Sequence, residues 1–212
     1  FLYFRSPIMP VVTSVRRAAA VAAVLLAAAP AAAQTSARRP APRPAARFTL
    51  TSADLGPGAA VGQRHVFDGF GCTGQNVSPA LVWANPPAGT RSYAVTVYDP
   101  DAPTGSGWWH WVVYNIPAST TGLPAGAGSG GAAGAGGGLP AGAVQGATDF
   151  GTAGYGGPCP PAGDRPHRYV FTVHALKVDR LDLPANATAA FVGFNLNANR
   201  LGSASFTARY GR

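Results

Sequence analysis

The sequence predicts a mainly β fold, an antiparallel β-sandwich with one or two short helices, and three observations carry that expectation. Short runs rich in β-branched and aromatic residues recur from residue 47 onward: "RFTLTS", "ALVWAN", "SYAVTVYD", "WWHWVVYNI", "HRYVFTVHAL" and "SASFTARY". Turn-forming clusters, "NPPAGT", "DPDAPTGSG" and "PCPPAGDRP", separate several of them, and strands punctuated this closely by Gly and Pro pair in antiparallel sheets. Only "ATAAFVGFNLNANRLG", residues 187–202, has helical spacing, with Phe191, Phe194 and Ala198 along one stripe and Gly202 as its stop.

Taken in chain order, the first segment is expected to be a leader. From Met9, the first plausible start, Arg16-Arg17 precede "AAAVAAVLLAAAP" and a small-residue stretch ending at Ala33. That is the basic, apolar, small-residue order of a secretory signal, with cleavage near Ala33. A retained anchor is the rival, but the apolar run is shorter than the roughly 20 residues that span a bilayer. Residues 1–33 are therefore expected to be leader and 34–47 a Pro/Ala/Arg-rich linker, with residues 48–212 as one domain in a periplasmic or secreted protein.

Charge follows the same division. The chain carries a formal net charge of +8, yet residues 48–212 hold nine cations against eight aspartates. The excess sits in the leader and in "TSARRPAPRPAAR", a solvated tail with at most peripheral attraction to anionic membranes. A nucleic-acid partner is not expected. Cys72 and Cys159 are the two cysteines. In an oxidising compartment they form one disulfide or stay as two buried thiols, and two thiols alone make no zinc site.

Period-2 alternation then assigns faces. In "HRYVFTVH", His167, Tyr169, Phe171 and Val173 share one face, and Arg168 and His174 lie on the other. In "WWHWVVYNI", His110, Val112 and Tyr114 share a face opposite Trp109, Trp111 and Val113. Both His110 and His167 begin strands, where loops build sites. Residues 126–151, "GAGSGGAAGAGGGLPAGAVQGATDFG", lack the Gly-Lys-Ser/Thr ending of a phosphate loop and read as a flexible surface excursion, its most Gly-rich part being 126–138.

Four stretches together, "NVSPALVW", "YDPDAPTGSGWWHWVVYNIP", "GYGGPCPPAGDRPHRYVFTVHAL" and "SFTARYGR", resemble the phosphatidylethanolamine-binding proteins in their bacterial Raf-kinase-inhibitor-like branch, over about residues 48–212. The resemblance implies a small pocket for phosphate, phosphorylated headgroups or related anions. Its residues would be Asp99, Asp101 and Pro103 from the first motif, His110 after the tryptophans, Gly157, Pro160 and Pro161 as wall, and His167 and Tyr169. Cys159 inside the Gly-Pro-Pro motif and Trp109, where eukaryotic relatives often carry histidine, depart from the pattern and bear on the headgroup preference.

Physically, Tyr169, the two imidazoles and backbone N–H groups near Gly157 are donors for anion oxygens, with carboxylates holding the imidazoles oriented and partly protonated. Alternatively a carboxylate meets an ethanolamine ammonium group. Bland roles stand beside these: Asp99 as a turn cap, His110 as a satisfied core histidine, His65 and His174 as structural or exposed, and at most one of Trp83, Trp108, Trp109 and Trp111 at the site. No catalytic constellation is expected, because Ser78 and Ser106 lack the nucleophile-elbow pattern and Asp99, Asp101 and His110 form only a weak metal set. No cofactor is expected. The leading expectation is a monomeric or dimeric binding protein for a small, phosphate-bearing anion, with modulation of a protein partner as an added role. An interaction or inhibitor module with a vestigial pocket comes second, and a weak hydrolase last.

Overall fold

The computed structural model describes residues 46–129, 138–184 and 187–212. The expected leader with its cleavage site, nearly all of the expected linker and the centre of the Gly-rich stretch lie outside the described residues. Among the described residues the elements run β1 (Thr49–Thr51), a 3-10 turn (Gln63–His65), β2 (Asp68–Gly69), β3 (Cys72–Thr73), β4 (Leu81–Ala84), β5 (Ser92–Asp99), β6 (Trp108–Pro117), β7 (Gly122–Leu123), β8 (Val144–Gln145), β9 (His167–Leu176), α1 (Ala189–Asn199) and β10 (Arg200–Tyr210). The mainly β, antiparallel architecture expected is the one observed.

A five-stranded sheet in the order β10-β9-β5-β6-β8 faces a three-stranded sheet in the order β1-β4-β7, and β2-β3 form a separate hairpin. Val95, Val97, Trp111, Val113, Phe171 and Val173 from the large sheet pack with Leu50, Leu81, Trp83 and Leu123 from the small one. Trp111 and Phe171 are fully buried, and each such side chain contributes about 1.5–3 kcal/mol by leaving water. The opposite face of the large sheet, with Ala94, Val112, Tyr114 and Leu176, is covered by Ala189, Val192 and Leu196 of α1.

That last contact corrects the expected helix stripe. Phe191, Phe194 and Ala198 all face solvent, Phe194 at 70% exposure. The buried line is Ala189, Val192 and Leu196, whose smaller side chains let α1 lie close on the sheet. Thr188 caps the helix by accepting the Phe191 N–H, and Asn195 and Asn199 donate to the carbonyls four residues back on the exposed side. Gly202 is not the stop either. The chain passes directly from α1 into β10, and Gly202 sits at a register shift where a Cβ would come 2.9 Å from Pro87.

Strand β6 corrects a second expectation. Val97 pairs with Trp111 but Tyr98 pairs with Trp109, so His110 is an extra residue opposite no partner. Such a β-bulge reverses the alternation beyond it. His110 therefore faces the same side as Trp111 and reaches Tyr169, while Trp109 packs with the α1 layer. A second shift lies between Tyr93 and Val95 at Asn115, whose φ of 59° is held by bonds between its side chain and the backbone of Leu181. On β9 the expected faces are the observed ones.

The flanks of the Gly-rich stretch are built into the fold rather than loose. Gly128 donates to Ser78 Oγ, a Cβ on it would meet the Trp111 ring at 2.5 Å, and β8 pairs with β6. Small residues there allow backbone to lie flat against a buried indole. Cys72 and Cys159 are bridged, with Cα atoms 6.0 Å apart across 87 residues.

Candidate functional site

The turn after β5 is shaped by its own side chains. Asp99 Oδ1 accepts the Asp101 N–H at 2.8 Å, the hydrogen bond of an Asx turn. Gly107, at φ 71°, lies where a Cβ would fall 2.2 Å from the Tyr98 hydroxyl, so only glycine closes this turn. Asp101 is drawn outward. Its carboxylate takes the Arg168 backbone N–H, Nε and Nη2, each at 2.9 Å, and Arg165 at 3.3 Å. The Arg168 guanidinium holds the Asp101 carboxyl well below the usual carboxylate range. Because Arg168 lies on the face of β9 away from Tyr169, this pair clamps the turn to the strand from outside.

Inside, a cleft of about 160 Å³ opens between that turn, the start of β6, the segment around Phe150, the Cys159–Pro161 loop and the start of β9. Asp99, Pro103, His110, Pro160, Pro161, His167 and Tyr169 line it together with Phe70, Ala102, Thr104, Trp108, Phe150 and Cys159. His167 Nδ1–H donates to Asp99 Oδ2 at 2.7 Å, and its Nε2 lies 3.5 Å from Asp164 Oδ2. Asp99 thus caps the turn and orients an imidazole at once. His110 Nδ1–H donates to Gly156 O at 2.7 Å.

Electrostatics separates these groups. Burial pushes the His110 imidazole down to about 4, against the smaller pull of the Gly156 carbonyl and Asp99; it is neutral at pH 7, not partly protonated. Burial, with Asp99 adding, pushes the Tyr169 phenol upward, so it keeps its proton. The Tyr169 hydroxyl is buried and finds no protein partner among the described residues.

A family model described as phosphatidylethanolamine-binding protein matches residues 51–211. The chain belongs to that family. It is 54% identical over 166 residues to the UPF0098 protein YbcL of Escherichia coli K12, covering 78% of this chain and 88% of the relative. It is 54% identical over 161 residues to UPF0098 protein YbhB of the same organism, covering 76% and 98%. The crystal structure of E. coli YbcL, described as a new member of the mammalian PEBP family, matches with a TM-score of 0.75 at 53% identity, covering 79% of this chain and 99% of that one. LppC of Mycobacterium tuberculosis, named as a lipoprotein, is 40% identical over 148 residues, covering 69% of this chain and 64% of the relative.

Two residues carried over from the family pattern stand outside the cleft of this phosphatidylethanolamine-binding protein. Asp101 is committed to Arg168. Gly157 packs where a Cβ would meet His65 O at 2.1 Å, and its N–H donates to Asn76 Oδ1 at 2.7 Å. The Gly156 N–H goes to His110 O, so neither amide is free for an anion. Asp99, Asp101 and His110 do not converge as a ligand set, and among the described residues no cluster of three or more His, Cys or Asp is placed to hold a metal ion. Of the four tryptophans, Trp108 alone lines the cleft. His65 and His174 are buried and bonded to Val77 O and Thr96 Oγ1.

Sequence reasoning missed the aromatic rim. Phe150 stacks on Phe70 at 5.9 Å and meets Trp108 edge-on at 5.4 Å. Phe70 comes from the β2–β3 turn, which the disulfide ties to the cleft wall through Cys72 and Cys159. Arg212 strengthens that tie by donating to the carbonyls of Pro160, Gly71 and Phe70. The signal that could have found it was the left-handed "FDGFG" turn beside a cysteine.

Proposed function

We propose that this family member is a binding protein, not an enzyme, whose cleft receives a small phosphate-bearing or similar oxyanion. The observation that supports the reading most is the Tyr169 hydroxyl, a buried donor without a protein acceptor among the described residues, set beside two imidazoles. Buried polar groups are almost always paired, and an orphan in a cleft is a place for a ligand atom. Three side chains supply the chemistry: Tyr169 donates, His167 is held in orientation by Asp99, and His110 forms the floor. The aromatic rim excludes water around them and strengthens each hydrogen bond. Export to an oxidising compartment fits the leader pattern, the disulfide and a relative named as a lipoprotein.

Calorimetric titration of the protein with inorganic phosphate and phosphoethanolamine tests this. Heat of binding is expected, together with a rise in melting temperature that grows with ligand concentration, since a ligand at about 100 times its Kd adds about 2.7 kcal/mol of stability. The absence of both heat and a melting shift at millimolar ligand overturns the reading.

A further inference from the structure

The polar atoms at the floor of the cleft are not interchangeable. A carbonyl oxygen only accepts, so the 2.7 Å contact from His110 Nδ1 to Gly156 O places the ring proton on Nδ1. Nε2 then keeps a lone pair while the ring is neutral, as burial holds it above about pH 4. Beside it, with ring centroids 5.1 Å apart, the Tyr169 phenol offers an O–H that no protein atom among the described residues takes. The charged and titratable groups around His110 are Asp99 from β5, His167 and Tyr169 from β9, and Asp149 next to Phe150, whose Oδ2 accepts the Trp109 N–H. Asp164 adds a carboxylate against His167 Nε2. Among the described residues no Lys or Arg lines the cleft.

An oxyanion arriving here meets one acceptor and one donor side by side, under the negative potential of Asp99. A fully deprotonated anion presents only lone pairs. One of these would face the His110 lone pair, and the whole charge would face Asp99 with no Lys or Arg in the described lining to offset it. A protonated phosphate fits both atoms: its P–OH donates to His110 Nε2, and a neighbouring P–O accepts from Tyr169. We infer that the cleft selects phosphate that carries a proton, as free phosphate or as the monoanion of a phosphate monoester, and discriminates against phosphodiesters and sulfate. The inference rests on the phosphate reading above. It narrows that reading, because an intact phospholipid is a diester without a P–OH and only its released headgroup meets the requirement.

Titration calorimetry at pH 6 and pH 8, at constant ionic strength, decides it with four probes: inorganic phosphate, phosphoethanolamine, glycerophosphoethanolamine and sulfate. At pH 6, phosphate and phosphoethanolamine are expected to bind at least about tenfold more tightly than sulfate and the diester, whose lone pairs leave His110 unpaired. Between pH 6 and pH 8, phosphoethanolamine is expected to weaken by roughly 50-fold, following loss of its monoanion above a second pKa of about 6. Sulfate exchanges no proton in this range, so its own change measures what the protein's own groups contribute. Sulfate or diester binding within threefold of the monoester at pH 6 overturns the inference and leaves the phosphate reading standing. So does a monoester that weakens no more than sulfate. No binding of any probe overturns both. His110→Phe, checked for folding by its melting curve, is expected to bring the phosphate-to-sulfate ratio close to one; the wild-type panel decides the matter even if that variant does not fold.

Discussion

Tyr169 carries the clearest contrast between what stabilises the protein and what it binds. Its hydroxyl makes no hydrogen bond to the described protein atoms, so Tyr169→Phe removes a buried polar group without breaking a pair. The variant is expected to be as stable as the parent, or more stable by up to about 1 kcal/mol, while phosphate affinity falls about tenfold. Urea melts and titration together check this, and a destabilised variant with unchanged affinity would assign the hydroxyl to the fold instead. That Asp99, His110, His167 and Tyr169 come together was legible in the sequence because they sit inside two compact motifs, and all four line one cleft. Asp101 was misplaced because its partner, Arg168, lies on a strand 67 residues away, and no local pattern shows which aspartate of a pair turns inward. Gly157 was misplaced for a related reason: its amide is claimed by Asn76, a residue from another loop.

Long elements were readable and short or irregular ones were not. The eight residues of β5 and ten of β9 coincide with "SYAVTVYD" and "HRYVFTVHAL", since β-branched and aromatic runs of that length between turn clusters fit little besides a strand. Strands of two residues, such as β2, β3, β7 and β8, hold too little pattern to detect and exist because neighbours hold them. The bulge at His110 inverts a face without leaving any mark in composition, which is why alternation put His110 on the wrong side. In α1 the larger side chains misled: hydrophobicity favoured Phe191 and Phe194, whereas close approach to the sheet favoured Val192 and Leu196. Leu196→Ala is therefore expected to cost about 2–5 kcal/mol, and Phe194→Ser to change stability by no more than about 0.5 kcal/mol. Denaturant midpoints of the two variants test the assignment, and the reverse order would restore the other stripe.

For the whole molecule, two buried imidazoles set the response to acid. Burial pushes His110 and His174 each down to about 4, with Arg200 adding at His174. In the unfolded chain both titrate near 6.5, so between about pH 6.5 and pH 4 the unfolded state binds more protons and stability falls as pH falls. By pH 5 the loss is on the order of 2 kcal/mol for each histidine, and the melting temperature is expected to drop by on the order of 10 °C from its value at pH 7. Asp101 acts lower: with its folded pKa depressed by Arg168, its contribution is complete above about pH 4 and fades only below. His174→Gln should remove about half of the slope between pH 7 and pH 5; a flat melting temperature across that range would mean the two imidazoles are not buried neutral. Trp108 gives the molecule a reporter of its own. One indole stands in the wall of the cleft while Trp83 and Trp111 are sealed in the core, so the protein carries a fluorophore at the point of occupancy. Emission colour and acrylamide quenching can follow a ligand's arrival in real time without any dye or engineered label.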